Sequence, residues 1–146
     1  MDTSFAKLCE EFNIKTTQLG RAVRELAKKI NELEIPIDVK DDEPFYSYGF
    51  LDGSIWRNTW YILAIRDGKL GTLGNTSYSG VPDTFDELVD ELEYFKKRRT
   101  KYQYYRYLKG LAQRLPVFLE HVKKKLEDAN MEMTEAYEKI NKMLKA

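Results

Sequence analysis

The sequence predicts an α+β fold in a single domain spanning residues 1–146. Two observations predict this class: apolar residues recur at helical spacing near both ends of the chain, and two Asp-Gly pairs divide a β-rich middle. We expect a helical hairpin over residues 1–34, a three-stranded antiparallel meander over 45–74 and a helical part over 83–145. With 42% hydrophobic residues, a chain of this length can bury a core as one domain.

The N-terminal part contains two apolar stripes separated by a residue that favours a corner. The first stripe consists of Phe5, Leu8, Cys9 and Phe12, and the second of Leu19, Ala22, Val23, Leu26 and Ile30. Between them, Asn13 tolerates the left-handed conformation of a tight turn, Ile14 can fill the angle, and Thr16 can cap the next helix. The sequence therefore predicts two helices that meet at Asn13.

Aliphatic, small and turn residues recur at fixed offsets across this corner, namely Leu8, Cys9, Asn13, Ile14, Leu19 and Ala22. The pattern, within residues 7–26, resembles the helix-turn-helix of bacterial and phage DNA-binding proteins, with Cys9 for the usual alanine and Asn13 for the usual glycine. The resemblance implies that the exposed side of the second helix binds DNA. The nucleic-acid-binding residues would then be Thr16, Thr17, Gln18, Arg21 and Arg24. An ordinary packed helical hairpin is the alternative.

The middle of the chain has the composition of a β-meander. The segments FYSYGF, SIWRNTWYILAI and KLGTL are separated by Asp-Gly pairs at 52–53 and 67–68, which favour tight primed hairpin turns. The second segment is apolar on both faces from Trp60 to Ile65, so we expect a central strand covered on both sides. Trp56 and Trp60 fit either a ligand platform or a core.

After a loop with the sequence GNTSYSGVP, a helix is predicted to begin at Asp83 or Thr84. Pro116 marks the start of a further helix, either unbroken or with a joint near Asn130. Its heptad seam consists of Leu115, Leu119, Val122, Leu126, Ala129, Met133, Ala136, Ile140 and Met143. This seam predicts a coiled-coil-like hairpin with the preceding helix, or alternatively a homodimer through the C-terminal helix. The expected core includes Trp60, Ile62, Leu88, Leu92 and Leu119.

Charge is segregated along the chain although the formal net charge is zero. Residues 83–93 contain six acidic and no basic side chains, whereas residues 94–109 contain seven Lys or Arg and no acidic ones. This split suits a helix dipole. Tyrosines among cations also suit single-stranded nucleic acid, a protein interface, or a core edge covered by rings. The candidate interface residues are Lys97, Arg98, Arg99, Lys101, Tyr102, Tyr104, Tyr105 and Arg106.

The sequence offers few residues for catalysis or cofactor binding. Cys9 and His121 are each the only residue of their type, so neither a zinc ligand set nor a Cys-His pair is expected. The segment GLGNTSYSG lacks the lysine of a phosphate-binding loop. We expect no enzyme, no cofactor and no metal site. Without a membrane span or a signal peptide, the expected location is the cytoplasm.

Two functions from different classes fit these features. One is a DNA-binding transcription regulator that uses the N-terminal corner and dimerises through the C-terminal seam, so that two corners meet two half-sites. The other is a small protein-binding inhibitor or adaptor, of phage or mobile-element type, that acts through the tyrosine and basic helix surface. The expected partner is accordingly DNA or a protein, and not a membrane.

Overall fold

The computed structural model describes residues 3–76 and 83–146, so part of the predicted loop GNTSYSGVP, residues 77–82, lies outside the described residues. The elements are α1 (Thr3–Glu32), β1 (Val39–Asp52), β2 (Ile55–Arg66), β3 (Lys69–Thr76), β4 (Thr84–Glu87), α2 (Leu88–Arg98) and α3 (Lys101–Lys145). The strands form one antiparallel sheet in the order β1-β2-β3-β4, which confirms the predicted α+β class. None of the described helices combines the length and apolar content that a membrane crossing requires.

α1 is one uninterrupted helix of 30 residues. The predicted helical hairpin is therefore wrong, because the helix passes through Asn13 without a corner. The hydroxyls of Thr16 and Thr17 donate to the carbonyl oxygens of Phe12 and Asn13, at 2.7 and 2.9 Å, inside the helix. An asparagine inside a helix costs only about 0.7 kcal/mol relative to alanine, whereas a corner would leave backbone groups of both helix ends to be satisfied.

The two hairpin turns of the sheet fall at the predicted Asp-Gly pairs or next to them. At the second turn, Asp67 and Gly68 both have positive φ angles, 51° and 77°, as a primed turn requires. At the first turn, Asp52 pairs with Ile55, so the two-residue loop begins at Gly53, with φ of 64°. This loop is one residue later than predicted. The predicted meander of three strands is confirmed.

β1 begins at Val39, earlier than the predicted start at residue 45. Much of the polar sequence DVKDDEP joins the strand because Asp41 is buried and accepts two hydrogen bonds from Arg114 of α3, at 2.5 and 2.6 Å. Burial raises the pKa of Asp41, but the hydrogen bond and charge of Arg114 outweigh burial, and the net pKa is lowered. Pro44 is accommodated because β1 is an edge strand whose pairing shifts on both sides of it.

The helix predicted to start at Asp83 begins instead at Leu88, because residues 84–87 pair with β3 as a fourth strand. A Cβ atom at Gly71 would overlap the backbone oxygen of Asp86, so glycine permits this close approach of the two strands. Pairing between residues distant in sequence overrides the local helical pattern here. The sequence prediction lacked this strand for that reason.

The core lies between one face of the sheet and the three helices. Its most buried large side chains are Leu63, Ile65, Leu70, Leu73, Leu88, Phe95, Tyr107, Leu108, Leu111 and Phe118. Of the expected core residues, Leu88 and Leu92 are buried, whereas Trp60, Ile62 and Leu119 are half-buried. Side chains alternate along a strand, so Trp60 and Ile62 lie on the opposite face and line an open depression. The prediction that β2 is fully covered on both faces is wrong there.

α3 is a single helix of 45 residues with Pro116 in its interior, so the predicted helix start at Pro116 is wrong. The helix starts after Thr100, whose hydroxyl accepts from the Gln103 backbone N–H at 3.1 Å, while the Gln103 side chain accepts from the Thr100 N–H at 3.2 Å. α3 then crosses β1 at Gly110, where a Cβ atom would overlap the carbonyl oxygen of Phe45. The backbones of helix and strand are therefore in direct contact.

The predicted coiled-coil-like hairpin is wrong for the second half of α3. α2 has only 11 residues and cannot cover a helix of 45. Leu115 and Val122 are each 3% exposed, but Met133 and Met143 are 69% and 72% exposed. The seam thus passes from core to surface within one helix.

Candidate binding surface

A groove runs between α1 and the corner where α2 meets α3. It has a volume of about 340 Å³ and is lined by Phe12, Asn13, Thr16, Thr17, Lys96, Arg99, Thr100, Lys101 and Tyr104. The lining combines residues from both predicted sets, Thr16 and Thr17 from the nucleic-acid set and Arg99, Lys101 and Tyr104 from the alternative interface. We call it the basic groove, because three of its lining residues are cations.

The corner beside the basic groove is formed by the ends of two helices. α2 ends at Arg98, and Arg99 is extended, with φ of −108° and ψ of 163°. The backbone N–H of Arg99 donates to the carbonyl of Phe95 at 3.1 Å, and Thr100 caps α3. Lys96, Lys97 and Arg98 lie in the last turn of α2, where the helix dipole favours positive charge. Two helices thus meet across residues 99–100, and not at Asn13 as predicted.

Arg99 connects the basic groove to the sheet. Its Nη2 donates to the hydroxyl of Tyr48 at 2.8 Å, and its guanidinium carbon lies 4.9 Å from the centre of the Tyr48 ring. The same carbon lies 5.6 Å from the centre of the Phe95 ring, within the range of cation–π attraction. Among the described residues, the buried Nε–H groups of Arg99 and of Arg24 have no hydrogen-bond partner. Two guanidinium groups on this side of the molecule therefore each leave a donor unsatisfied.

An exposed apolar face of α1 continues from the basic groove. Phe12 lines the groove and packs edge-on against Tyr105, with ring centres 5.2 Å apart. Leu8 and Phe5 lie one and two helical turns earlier on the same face, and they are 61% and 64% exposed. On α3, the exposed ring of Tyr102 lies 6.1 Å from that of Tyr105. We call these five side chains the apolar rim.

The remaining residues of the nucleic-acid set lie along the same helix. Gln18 and Arg21 are exposed, and Arg24 pairs with Glu93 of α2 at 3.3 Å. Arg21 and Arg24 line a smaller cavity of about 80 Å³, which shares Lys96 with the basic groove. These residues therefore project from a straight helix and not from the second helix of a corner.

The alternative interface set is only partly brought together. Lys97 pairs with Glu93 one turn before it, at 3.7 Å, and Arg98 is exposed. The guanidinium of Arg106 lies 5.7 Å from the centre of the Tyr46 ring, which draws it toward the sheet. Lys97, Arg98 and Arg106 do not line the basic groove.

Several residues of this surface were not predicted as site residues. Phe12 was expected only to pack, and Lys96 and Thr100 were not singled out among their neighbours. Phe12 and Lys96 are separated by 84 positions in the sequence, so no local pattern relates them. The only signal in the sequence was the concentration of cations after residue 94.

A second cluster of polar side chains is buried between α2, α3 and the sheet. Glu91 accepts hydrogen bonds from the hydroxyl of Thr72, at 2.7 Å, and from the hydroxyl of Tyr107. Burial raises the pKa of Glu91 to about 7, despite the opposing effect of these two hydrogen bonds. Glu91 also lines an open cavity of about 280 Å³ beside Tyr61 and Tyr94. In the sequence Glu91 is one of the six acidic residues of the segment 83–93, and nothing there marks it as buried.

No protein-family model matches the chain, and no curated protein or solved structure is significantly similar to it. Within residues 3–76 and 83–146, no three His, Cys, Asp or Glu side chains are grouped so that they could hold a metal ion. The basic groove and the apolar rim are therefore the features that indicate a function.

Proposed function

We propose that this chain is a non-catalytic protein-binding module whose contact surface consists of the basic groove and the apolar rim. Its partner is a protein segment that carries both carboxylates and apolar side chains. The observation that carries the proposal is the continuity of exposed Phe5 and Leu8 with the groove that contains Lys96, Arg99 and Lys101. An inhibitor or adaptor would use such a surface.

The two parts of this surface have different roles in binding. The cations attract an acidic segment over a distance and set its orientation, which mainly raises the association rate. The rings of Phe12, Tyr102 and Tyr105 offer apolar area with few rotatable bonds, which is typical of residues that dominate interface energies. Arg99 is already held by Tyr48 and Phe95, so little of its freedom is lost when a carboxylate binds.

An aliphatic side chain at this surface favours a protein partner over a nucleic acid. Leu8 is exposed on α1 and offers neither a charge for phosphates nor a ring for bases. The formal net charge of the chain is zero, whereas nucleic-acid affinity depends strongly on phosphate neutralisation by Lys and Arg. The hydroxyl hydrogens of Thr16 and Thr17 are also engaged by their own helix.

Duplex DNA is the second candidate partner, and the corner at residues 99–100 is the observation that favours it. In helix-turn-helix proteins, the N-terminal residues of the second helix contact base edges. Here that helix would be α3, which begins with exposed Lys101 and Tyr102, followed one turn later by Arg106. A transcription regulator of this kind would use α3 and not the region near Thr16.

Binding of labelled probes, followed by fluorescence anisotropy, distinguishes these functions. The probes are a designed helical peptide rich in Glu and Leu, a random DNA duplex and a single-stranded DNA. The peptide is expected to bind. Two variants should each lower the affinity for this peptide by about tenfold or more, the loss expected for contact residues at a binding centre. One is Lys96→Glu combined with Lys101→Glu in the groove, and the other is Leu8→Ser in the rim.

The matched control is Lys28→Glu combined with Lys124→Glu, which makes the same charge change at exposed positions outside the groove. This control should leave peptide binding unchanged. If the control lowers the affinity for the peptide as much as the groove variant does, the basic groove is not the binding site. If the duplex binds with steep salt dependence and the peptide does not, DNA binding replaces the proposed function.

A further inference from the structure

The second half of α3 carries an apolar seam that no described element covers. It consists of Ala129, Met133, Ala136, Ile140 and Met143, of which only Ala129 is half-buried and the rest are exposed. The last fully buried side chain of α3 is Val122. From there the heptad spacing continues without change, so the exposed seam has the form that packs against another helix.

The sizes of the seam residues favour an antiparallel partner with the same sequence. In a parallel pair each residue meets its own copy, which would place Met133 against Met133 and leave Ala136 against Ala136. In an antiparallel pair centred between residues 134 and 135, Met133 meets Ala136 and Ile140 meets Ala129 of the second copy. Large side chains then face small ones in the four central layers, as close packing requires, while Met143 meets Leu126 at each end.

The charges beside the seam favour the same arrangement. Glu132 and Lys139 each directly precede a seam residue, Met133 and Ile140, and both are exposed. In the antiparallel register described above, Glu132 of each copy lies beside Lys139 of the other, giving two ion pairs. In a parallel pair the same two residues would lie beside Tyr137 and Leu144, which offer no opposite charge.

The body of the protein leaves room for this arrangement. In the antiparallel register, Leu126 of one copy lies level with Met143 of the other, and Leu126 is the last seam residue packed against the core. The Leu126 positions of the two copies are therefore separated along the helix by 17 residues, or about 25 Å. That distance accommodates the overlap of the two seams without contact between the cores.

We propose that two copies of this chain pair through these seams as an antiparallel coiled coil. Met133 of each copy packs against Ala136 of the other, and Glu132 of each pairs with Lys139 of the other. The proposal is independent of the basic groove, which lies at the other end of α3.

A charge swap tests the proposed register. Sedimentation equilibrium over a wide concentration range should show a monomer–dimer equilibrium. Glu132→Lys should weaken the dimer on the order of tenfold, because like charges then face each other twice. Adding Lys139→Glu should restore the affinity. The control pair, Glu135→Lys with and without Lys142→Glu, changes exposed positions outside the seam and should have little effect. A monomer at every concentration, or a double variant that is not restored, overturns the proposal.

Cysteine cross-linking tests the direction of the helices. In a Cys9→Ser background, Ala129→Cys and Ile140→Cys chains are oxidised separately and as a mixture. An antiparallel pair places identical positions 11 residues apart, about 16 Å along the helix, too far for a disulfide. Covalent dimers should therefore form only in the mixture. Cross-linking of each variant with itself would indicate a parallel pair and overturn the proposal.

Discussion

The two halves of α3 share one apolar repeat but have opposite surroundings. Leu115 and Val122 in the first half are buried against the rest of the chain, whereas Met133 and Ile140 in the second half are exposed. A repeat in the sequence therefore indicates that a helix face has a partner surface, but not whether that surface belongs to the same chain. Here α3 is longer than the surfaces on which it packs, because it crosses β1 at Gly110 and α2 ends after 11 residues.

The largest expected difference between the halves comes from removing a buried ring. Phe118 in the first half is fully buried, so Phe118→Ala should lower the free energy of unfolding by about 3 to 5 kcal/mol. Urea denaturation followed by circular dichroism measures this change. Met143→Ala in the second half is the control and, at a protein concentration low enough to keep the chain monomeric, should change the free energy of unfolding by less than about 0.5 kcal/mol. Similar losses in the two variants would show that the second half is as well packed as the first.

One pH dependence is expected where the first half of α3 packs against α2. The pKa of Glu91, beside Tyr107, is raised by burial to about 7 from an ordinary value of 4.5. The folded chain thus holds this proton more tightly than the unfolded chain, so the stabilisation is complete below about pH 4.5 and is lost as pH rises toward 7.

The loss of stability across this range should be on the order of 3 kcal/mol. Unfolding free energies measured between these pH values, in the native chain and in Glu91→Gln, test the assignment. The variant removes the titrating group, so its stability should lack this fall. An equal fall in both chains would assign the dependence to another group.

The contact between the first half of α3 and β1 predicts that replacing Gly110 with alanine destabilises the chain, although alanine usually stabilises a helix. A Cβ atom at Gly110 would overlap the backbone oxygen of Phe45, which cannot move aside. Gly110→Ala should therefore lower the free energy of unfolding by about 1 to 3 kcal/mol. Gly20→Ala in α1 is the matched control. Its Cβ would overlap a side-chain atom and not the backbone, namely the hydroxyl of Tyr104 at 2.6 Å. Since alanine favours helices, the control should be neutral or more stable by up to about 1 kcal/mol, as thermal unfolding would report.

The smallest expected effect is at an exposed seam residue, Ile140, which is compared directly with the buried seam residue Leu115. Leu115→Ala should lower the free energy of unfolding by about 2 to 5 kcal/mol, because it opens a cavity in the core. Ile140→Ala should change the stability of the monomer by less than about 0.5 kcal/mol, since the side chain is exposed there. Denaturation at low protein concentration keeps the chain monomeric for this comparison. A large cost at Ile140 under those conditions would mean that the second half is covered within the chain.

Local patterns predicted much of the fold. The Asp-Gly pair at 67–68 identified a hairpin turn because its backbone angles suit few other residues, and Leu88 and Leu92 were correctly expected in the core. The unbroken α1 and the strand at residues 84–87 could not be predicted in this way. Asn13 is compatible with a turn and a helix alike, and the fourth strand depends on Gly71, which is distant in the sequence.

The candidate binding surface was predicted in fragments and not as a whole. The sequence indicated Thr16 and Thr17 for one hypothesis and Arg99 and Lys101 for another. Their common position around one groove depends on how α1 packs against the corner of α2 and α3, which no spacing along the chain encodes. The predicted location of the corner was wrong, because α1 continues through Asn13 without a break.

Contact between Gly110 and β1 fixes the position of α3 along the sheet, and this makes the helix a spacer of defined length. From Tyr104 at the basic groove to the proposed dimer axis between residues 134 and 135, α3 extends about 46 Å. The proposed dimer would therefore present two grooves about 90 Å apart at the ends of one rod. A partner with acidic segments repeated at that spacing would gain avidity from simultaneous binding, whereas a partner with closer repeats would occupy one groove at a time.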